Sequence, residues 1–304
     1  MDTIIIGSGG SHEIDLSLTC PACHGKGVFH TWDCINGTDD LAMRQRVLHD
    51  QSLFFYTCPH CQSAVHVEEK CLYFDKKKHF MVWHIPDLKM TVTSGEVEDF
   101  LGQNDFSGYD CRVALTWGEW REKIIEMESS FDDRLYELIK YGAYQLLKPD
   151  QKEKLPLEMY HFDYADDSYQ PDQLALVFME ADQKGNGYVY PVNTKMLEVT
   201  HDVFLPVLQK LSPQAGKGVF ERYGYSWAEH FMKYIIEAAK KPGMETYSQL
   251  VGFWIRTIGR EIVQTELKGQ YHLFRIQARG SSKMNCGKSF CCCLLIFPYI
   301  IWLL

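Results

Sequence analysis

The pattern of polar and apolar residues first becomes readable as a period of two. Glu13-Ile14-Asp15-Leu16-Ser17-Leu18 alternates, which predicts a half-buried strand, and Gly25-Lys26-Gly27 turns the chain back into a second strand ending near residue 36. Residues 38–50 then read as a short helix. Thr38 is placed to cap it, Asp39 and Asp40 suit its first turn, and Leu41, Val47 and Leu48 give it an apolar side. Strand character returns in Leu53-Phe54-Phe55-Tyr56 and Ala64-Val65-His66-Val67. It continues in Cys71-Leu72-Tyr73-Phe74 and Phe80-Met81-Val82-Trp83, joined as a hairpin through Asp75-Lys76-Lys77-Lys78. Pro86 ends that run, and residues 87–110 read as a connector.

Two helices follow. Thr116 and Glu119 have capping-box spacing, and Trp117, Trp120, Ile124 and Met127 fall on one face. Ser130 with Asp133 repeats the spacing, and Phe131, Leu135, Leu138, Ile139, Gly142 and Leu146 recur at helical intervals until Pro149. Leu174–Met179 and Tyr188–Tyr190 read as strands around a turn at Gly185-Asn186-Gly187, and residues 196–211 as a helix. Gly216 and Gly218 mark a soft boundary. Beyond it, Ser226–Lys240 and Tyr247–Leu267 form an expected antiparallel helix pair turned at Pro242-Gly243.

The expected fold is therefore α+β. It comprises a β-hairpin domain with a helical insertion, an α+β section and a C-terminal helical pair. The expected boundaries are 12–147 for the hairpin domain with its following helices, 148–215 for the α+β section, 216–280 for the helical region and 281–304 for an apolar tail. At 304 residues the chain is long enough for two or three cores, and 46% hydrophobic content excludes wholesale disorder.

Charge narrows the partners. The net charge is −9, yet Lys268, Arg275, Arg279, Lys283 and Lys288 all follow the last acid, Glu266, so the body before them carries −14. Such a body repels phosphate backbones at long range. The start, Met1-Asp2-Thr3-Ile4-Ile5-Ile6, lacks the features of a secretory signal, and eleven cysteines in so long a chain fit a reducing compartment; the expected location is cytoplasmic.

Four of those cysteines carry the clearest chemistry. Cys20-Pro21-Ala22-Cys23 and Cys58-Pro59-His60-Cys61 are two C-P-x-C knuckles, each set between predicted strands. Together they supply the full tetrahedral donor set of a structural zinc ion, and proline presets φ for the turn that lets both sulfurs reach one metal. Two knuckles, each on a hairpin, make the 12–147 domain zinc-ribbon-like. Thirty-four residues separate Cys23 from Cys58, and the predicted helix fills that gap. His24, His60, His66, Cys34 and Cys71 lie nearby but are read as non-ligands. A thioredoxin-like dithiol fits poorly, because that motif occurs once and on a βαβ unit.

Residues from about 12 to 147 resemble the CpXC family, a bacterial and archaeal domain named for this motif. The resemblance rests on both knuckles, Trp32-Asp33-Cys34-Ile35-Asn36, Phe55-Tyr56-Thr57, Leu72-Tyr73, Phe80-Met81-Val82-Trp83, and the stretch from Arg121-Glu122-Lys123-Ile124 to Asp132-Asp133-Arg134. It implies the metal site and the α+β layout and supplies no catalytic residues. His24 and Gln62 depart from it, standing where a glycine often relaxes the turn.

Other motifs are better explained without chemistry. Ile4-Ile5-Ile6-Gly7-Ser8-Gly9-Gly10 resembles a dinucleotide loop but leads into a strand, and His12 stands where a third glycine belongs. Asp182–Gly187 resembles a calcium loop with Lys184 at the third position and Asn193 at the twelfth. Asp132 and Asp133 suit a first helical turn, and His79, His84, His161, His201 and His230 share no ligand spacing. No catalytic residue is read, and the chain leans away from being an enzyme.

Cys291–Leu304 is almost wholly apolar. As a helix its 14 residues would rise about 21 Å, short of the ~30 Å hydrocarbon thickness, and Pro298 interrupts it. The abrupt change of composition near Lys283 reads first as out-of-frame translation; a membrane-surface anchor, which the basic stretch before it would suit, and packing against the helical region are the alternatives. The function expected is that of a protein-interaction or scaffold module braced by Zn2+. Nucleic-acid binding through Lys76, Lys77 and Lys78 and an enzyme site away from the zinc are the alternatives.

Overall fold

A computed structural model describes residues 10–49, 51–67, 69–87, 89–90, 93–103, 105–165, 170, 173–181, 186–212, 216–267 and 272–275. The fold is α+β, with β-hairpins near the N-terminus and helices toward the C-terminus. Two compact units compose it: Met1–Ile124 with Gln214–Arg222, and Ile125–Pro213 with Tyr223–Leu304. The tail beyond residue 275, the opening Ile4–Gly9 and the calcium-like Asp182–Gly185 lie outside the described residues.

In the first unit, β1 (His12–Thr19) and β2 (Lys26–Asn36) form a long antiparallel hairpin. Along β1 half-buried and exposed residues alternate strictly, as its sequence does. α1 (Leu41–His49) and a 3₁₀ turn (Gln51–Phe54) lead to the short hairpin of β3 (Phe55–Thr57) and β4 (Ala64–His66). β5 (Cys71–Asp75) and β6 (Phe80–His84) pair as read, with Asp75 opposite Phe80. α2 (Ser94–Leu101) precedes β7 (Asp110–Ala114), and the five-stranded sheet has the order β1-β2-β5-β6-β7. Every residue of β5 and β6 is buried, which explains why these strands are continuous apolar runs. α3 (Trp117–Glu128) places Trp120 against the sheet, where its indole N–H donates to the Val82 carbonyl at 2.9 Å.

Residues 216–222 return to this unit and lie along the outer side of β7. The Cys111 and Val113 N–H groups donate to the Gly216 and Glu221 carbonyls at 2.7 and 3.0 Å. Gly216 and Gly218 have φ of 72° and 64°. A Cβ on Gly216 would fall 2.0 Å from an Arg112 guanidinium nitrogen, and one on Gly218 would fall 2.7 Å from the Ser107 Cα. The two glycines are required here by both backbone conformation and space.

In the second unit, α4 (Asp133–Gln145), α5 (Pro149–Lys154) and a 3₁₀ turn lead into β8 (Tyr160–Tyr164). β9 (Leu174–Met179), β10 (Asn186–Pro191) and β11 (His272–Arg275) complete an antiparallel sheet of order β11-β10-β9-β8. α6 (Thr194–Leu211), α7 (Tyr225–Ala239) and α8 (Glu245–Leu267) pack with α4. Trp254 is buried at their centre, edge-on to Phe204 at 4.9 Å, and its indole donates to the Thr200 hydroxyl at 2.9 Å. Gly142 admits that ring, because a Cβ there would fall 2.8 Å from it.

Several local readings change. The stretch read as a connector holds α2, closed by a Thr93–Glu96 capping box and a left-handed Gly102; eight residues with two buried apolar positions are too few for helical periodicity to show. α1 is capped by Asp40, whose carboxylate accepts the Met43 N–H at 3.0 Å, not by Thr38. The Thr38 hydroxyl instead binds Asp75 and accepts the Lys76 N–H, pinning the hairpin turn. α4 starts at Asp132 and not at Ser130, since an Asp one residue before the helix reaches its free N–H groups directly. Asn186 and Gly187 are paired residues of β10 rather than a turn. β8 and β11 were not foreseen.

Candidate metal centre

Each knuckle begins where a strand ends. Cys20 follows β1 directly and Cys58 follows β3, so both are anchored to the sheet backbone and buried, while Cys23 and Cys61 lie on the exposed side of their turns. The two turns repeat one another bond for bond. The Cys20 N–H donates to the Gly25 carbonyl at 2.9 Å and the Cys58 N–H to the Ser63 carbonyl at 3.0 Å. The His24 and Gln62 N–H groups close the turns on the Cys20 and Cys58 carbonyls, each at 2.9 Å. Closing a turn this way drives the residue after the knuckle into the left-handed region, with φ of 58° at His24 and 60° at Gln62. That conformation suits glycine, and a side chain there carries strain. Both positions adopt the glycine-like geometry without being glycine.

The turns converge. Cys20 Sγ lies 3.7 Å from Cys61 Sγ, and Cys23 Sγ lies 3.6 Å from Cys58 Sγ. All four sulfurs stand within 4.8 Å of one another, the group among the described residues that could hold a metal ion. The Ser63 hydroxyl, 3.2 Å from Cys61 Sγ, and its backbone N–H pull that thiol down to about 6. At Cys58 burial opposes ionisation, but the Cys61 and His60 N–H groups outweigh it and lower the thiol. Cys23 receives the Gly25 N–H, which favours its thiolate, yet the neighbouring sulfur of Cys61, desolvation and the sulfur of Cys58 push it up to about 12. Four thiolates this close repel one another, and a divalent cation is the charge that lets them all ionise together.

Beneath the sulfurs, Cys20, Tyr56 and Cys58 form a small core, bordered by Leu18, Phe29, Val65 and Val67. Two glycines let it close. A Cβ on Gly27 would fall 1.8 Å from the Tyr56 hydroxyl oxygen, and one on Gly25 would fall 2.3 Å from the His60 ring. His60 thus packs across onto the first knuckle, its Nε2 3.2 Å from the Lys26 carbonyl, and ties the two turns together. Sequence reasoning missed this bracing and the Ser63 contact. The signal was available in the matched offsets: Gly25 and Ser63 each stand two residues beyond the second cysteine of their knuckle.

The other candidates are placed elsewhere. Cys34 and Cys71 are buried in the main sheet, where burial raises both thiols. His66 lies tilted against the Phe55 ring at 5.0 Å, and His84 Nδ1 lies 2.9 Å from the Glu69 carbonyl. Asp132 caps α4 and holds Arg134 through two bonds of 2.9 and 2.6 Å, a structural use of the carboxylate.

No curated protein and no solved structure gives a significant match to the chain. A family model does: that of the CpXC protein matches residues 18–140, a span that takes in both knuckles, β2, β5, β6 and β7 of the main sheet, and α4 as far as Lys140. Over that segment, which is less than half of its length, the chain is similar to the CpXC family.

Proposed function

We propose that Cys20, Cys23, Cys58 and Cys61 hold one structural zinc ion, and that the domain it braces is a protein-interaction or scaffold module in the cytoplasm. The observation that carries this reading is the convergence of two matched knuckles from separate hairpins. A tetrahedral zinc tetrathiolate with Zn–S bonds of about 2.3 Å has sulfur–sulfur edges of about 3.8 Å, close to the 3.6 and 3.7 Å separations here. Four protein donors fill the coordination sphere and leave no position for substrate, which favours a structural over a catalytic role. Two of the four sulfurs are buried and set over Tyr56, so the ion would serve as the centre of a core too small to close on apolar contacts alone.

A protein partner is favoured over nucleic acid by charge. Residues 12–90 hold eight Lys and Arg against ten Asp and Glu. Lys76 lies over the Phe74 ring, and the backbone N–H groups of Lys77 and Lys78 bind the Asp75 carboxylate, which fits these residues to a tight turn. Among the described residues no helix is long and apolar enough to cross a membrane.

Metal analysis of the purified chain tests the site. One zinc per chain is expected, lost when any of the four cysteines becomes serine; a chain purified without chelator that holds no stoichiometric zinc refutes the assignment. Binding to DNA or RNA that weakens steeply with salt would refute the choice of partner class.

A further inference from the structure

The outer side of β7 is covered by residues that are 107 positions distant in sequence at the Lys217–Asp110 pair. The covering segment is not a regular strand. It pairs antiparallel at Asp110 and Lys217, folds back, and pairs parallel at Arg112 and Glu221. At the fold the Phe220 ring packs edge-on against Trp83 at 5.3 Å and lies 6.4 Å from Phe106. A cation stands on either side: Lys217 Nζ is 2.7 Å from the Asp110 carboxylate, and Arg222 pairs with Glu119. The next residue in the loop from the anchor, Val219, is 62% exposed.

These are the features of a docked peptide: backbone bonds to a sheet edge, one aromatic anchor and flanking complementary charge. They are weak as intramolecular cement. Both ion pairs are part-exposed and contribute little, and Phe220, the one aromatic side chain of the segment, is only partly buried. Attachment at both ends assists its backbone bonds to β7 by keeping the segment at an effective concentration on the order of millimolar.

We propose that the outer edge of β7 is a docking edge for a loop carrying an aromatic anchor between two cations, that residues 216–222 are its resident occupant, and that a protein partner with the same features displaces them. This supplies a surface for the interaction reading and rests on that reading for the outside partner alone. Docking of the resident loop is independent of it and of zinc.

The test uses the full chain carrying Lys217→Ala, Phe220→Ala and Arg222→Ala together, and a fluorescent peptide of residues 214–223 in unaltered sequence. The altered chain is expected to bind the peptide at least about tenfold more tightly than the unaltered chain, whose own loop competes in cis. Amide exchange at Cys111 and Val113 should quicken in the altered chain and slow again with peptide, and a peptide carrying Phe220→Ala should do neither. An altered chain with unchanged circular dichroism that binds no better than the unaltered one overturns the proposal. Should the altered chain not fold, protease sites inserted on both sides of the loop in the otherwise unaltered chain allow cutting after folding. Uptake of labelled peptide by the cut chain supports the docking edge, and no uptake overturns it. Zinc analysis of the same samples separates the two readings, since absence of zinc with peptide uptake intact defeats only the metal assignment.

Discussion

The ribbon and the second unit close their interiors by different means. The ribbon's own buried cluster is Cys20, Tyr56 and Cys58, two of its three members being sulfur donors. The second unit packs Trp254, Phe204, Phe178 and Phe162 at 1% exposure or less, with Trp254 and Thr200 sharing a buried hydrogen bond. A region with that much aromatic surface holds itself by burial; the ribbon cluster has only Leu18, Phe29, Val65 and Val67 around it, all partly buried, and the proposed ion would staple it. On the proposed reading, the small size of the local core is what a metal would make good.

The sharpest way to break this comparison is to remove the proposed metal. Cys58→Ser, or a strong chelator, is expected to cost on the order of 5 kcal/mol or more in the ribbon. Hydrogen exchange should then quicken across β1–β4 and leave α4, α6 and α8 unchanged; equal quickening in both regions would refute the division. The converse change is Trp254→Ala, expected to cost roughly 3–5 kcal/mol by chemical denaturation, with metal content unaltered. Gly27→Ala is expected to cost about 1–3 kcal/mol, because the new methyl must displace the Tyr56 hydroxyl from beneath the sulfurs.

Glu261 provides a pH signature confined to the second unit. Burial opposes its ionisation, but the Lys195 ammonium and the Asn193 amide, at 3.0 and 2.9 Å, hold its carboxyl below the ordinary range. A carboxyl lowered on folding stabilises above its unfolded value, and that contribution disappears as pH falls through the folded value. Glu261→Gln should therefore destabilise by about 1 kcal/mol at neutral pH, a gap that narrows as pH drops below the ordinary carboxylate range. Melting both proteins side by side from pH 7 to pH 3 checks the sign. The smallest effect expected is at the knuckles themselves. His24→Gly and Gln62→Gly each relieve a left-handed side chain while freeing the unfolded chain, for a net gain of up to about 1 kcal/mol. A loss at either position would show that the two turns are not equivalent.

Much of this was legible in the sequence because it depends on short-range pattern. The two knuckles, the hairpins of β1–β2 and β5–β6, and the long helices α6, α7 and α8 repeat their chemistry often enough over a few residues to be recognised. What escaped depends on distant partners. Thr38 has the chemistry of a cap, and only the fold brings Asp75 and Lys76 to its hydroxyl instead. His60 is one histidine among twelve until Gly25 leaves room for its ring. β11 is four residues long and acquires its identity from pairing with β10. Gly216 and Gly218 read as a boundary because glycines interrupt patterns; their left-handed backbones in fact let the loop lie against β7.

That returning loop also sets a schedule. During synthesis β7 is complete by Ala114, yet its outer neighbour arrives only when residues 216–222 have been added. At about 5–20 residues per second the edge stays uncovered for roughly 5–20 s on each new chain. Throughout that interval the nascent protein presents an unpaired strand beside the surface of Trp83, so the order in which the ribosome delivers the chain leaves this edge open to chaperones, and to neighbouring copies on the same message, before the molecule can close it for itself.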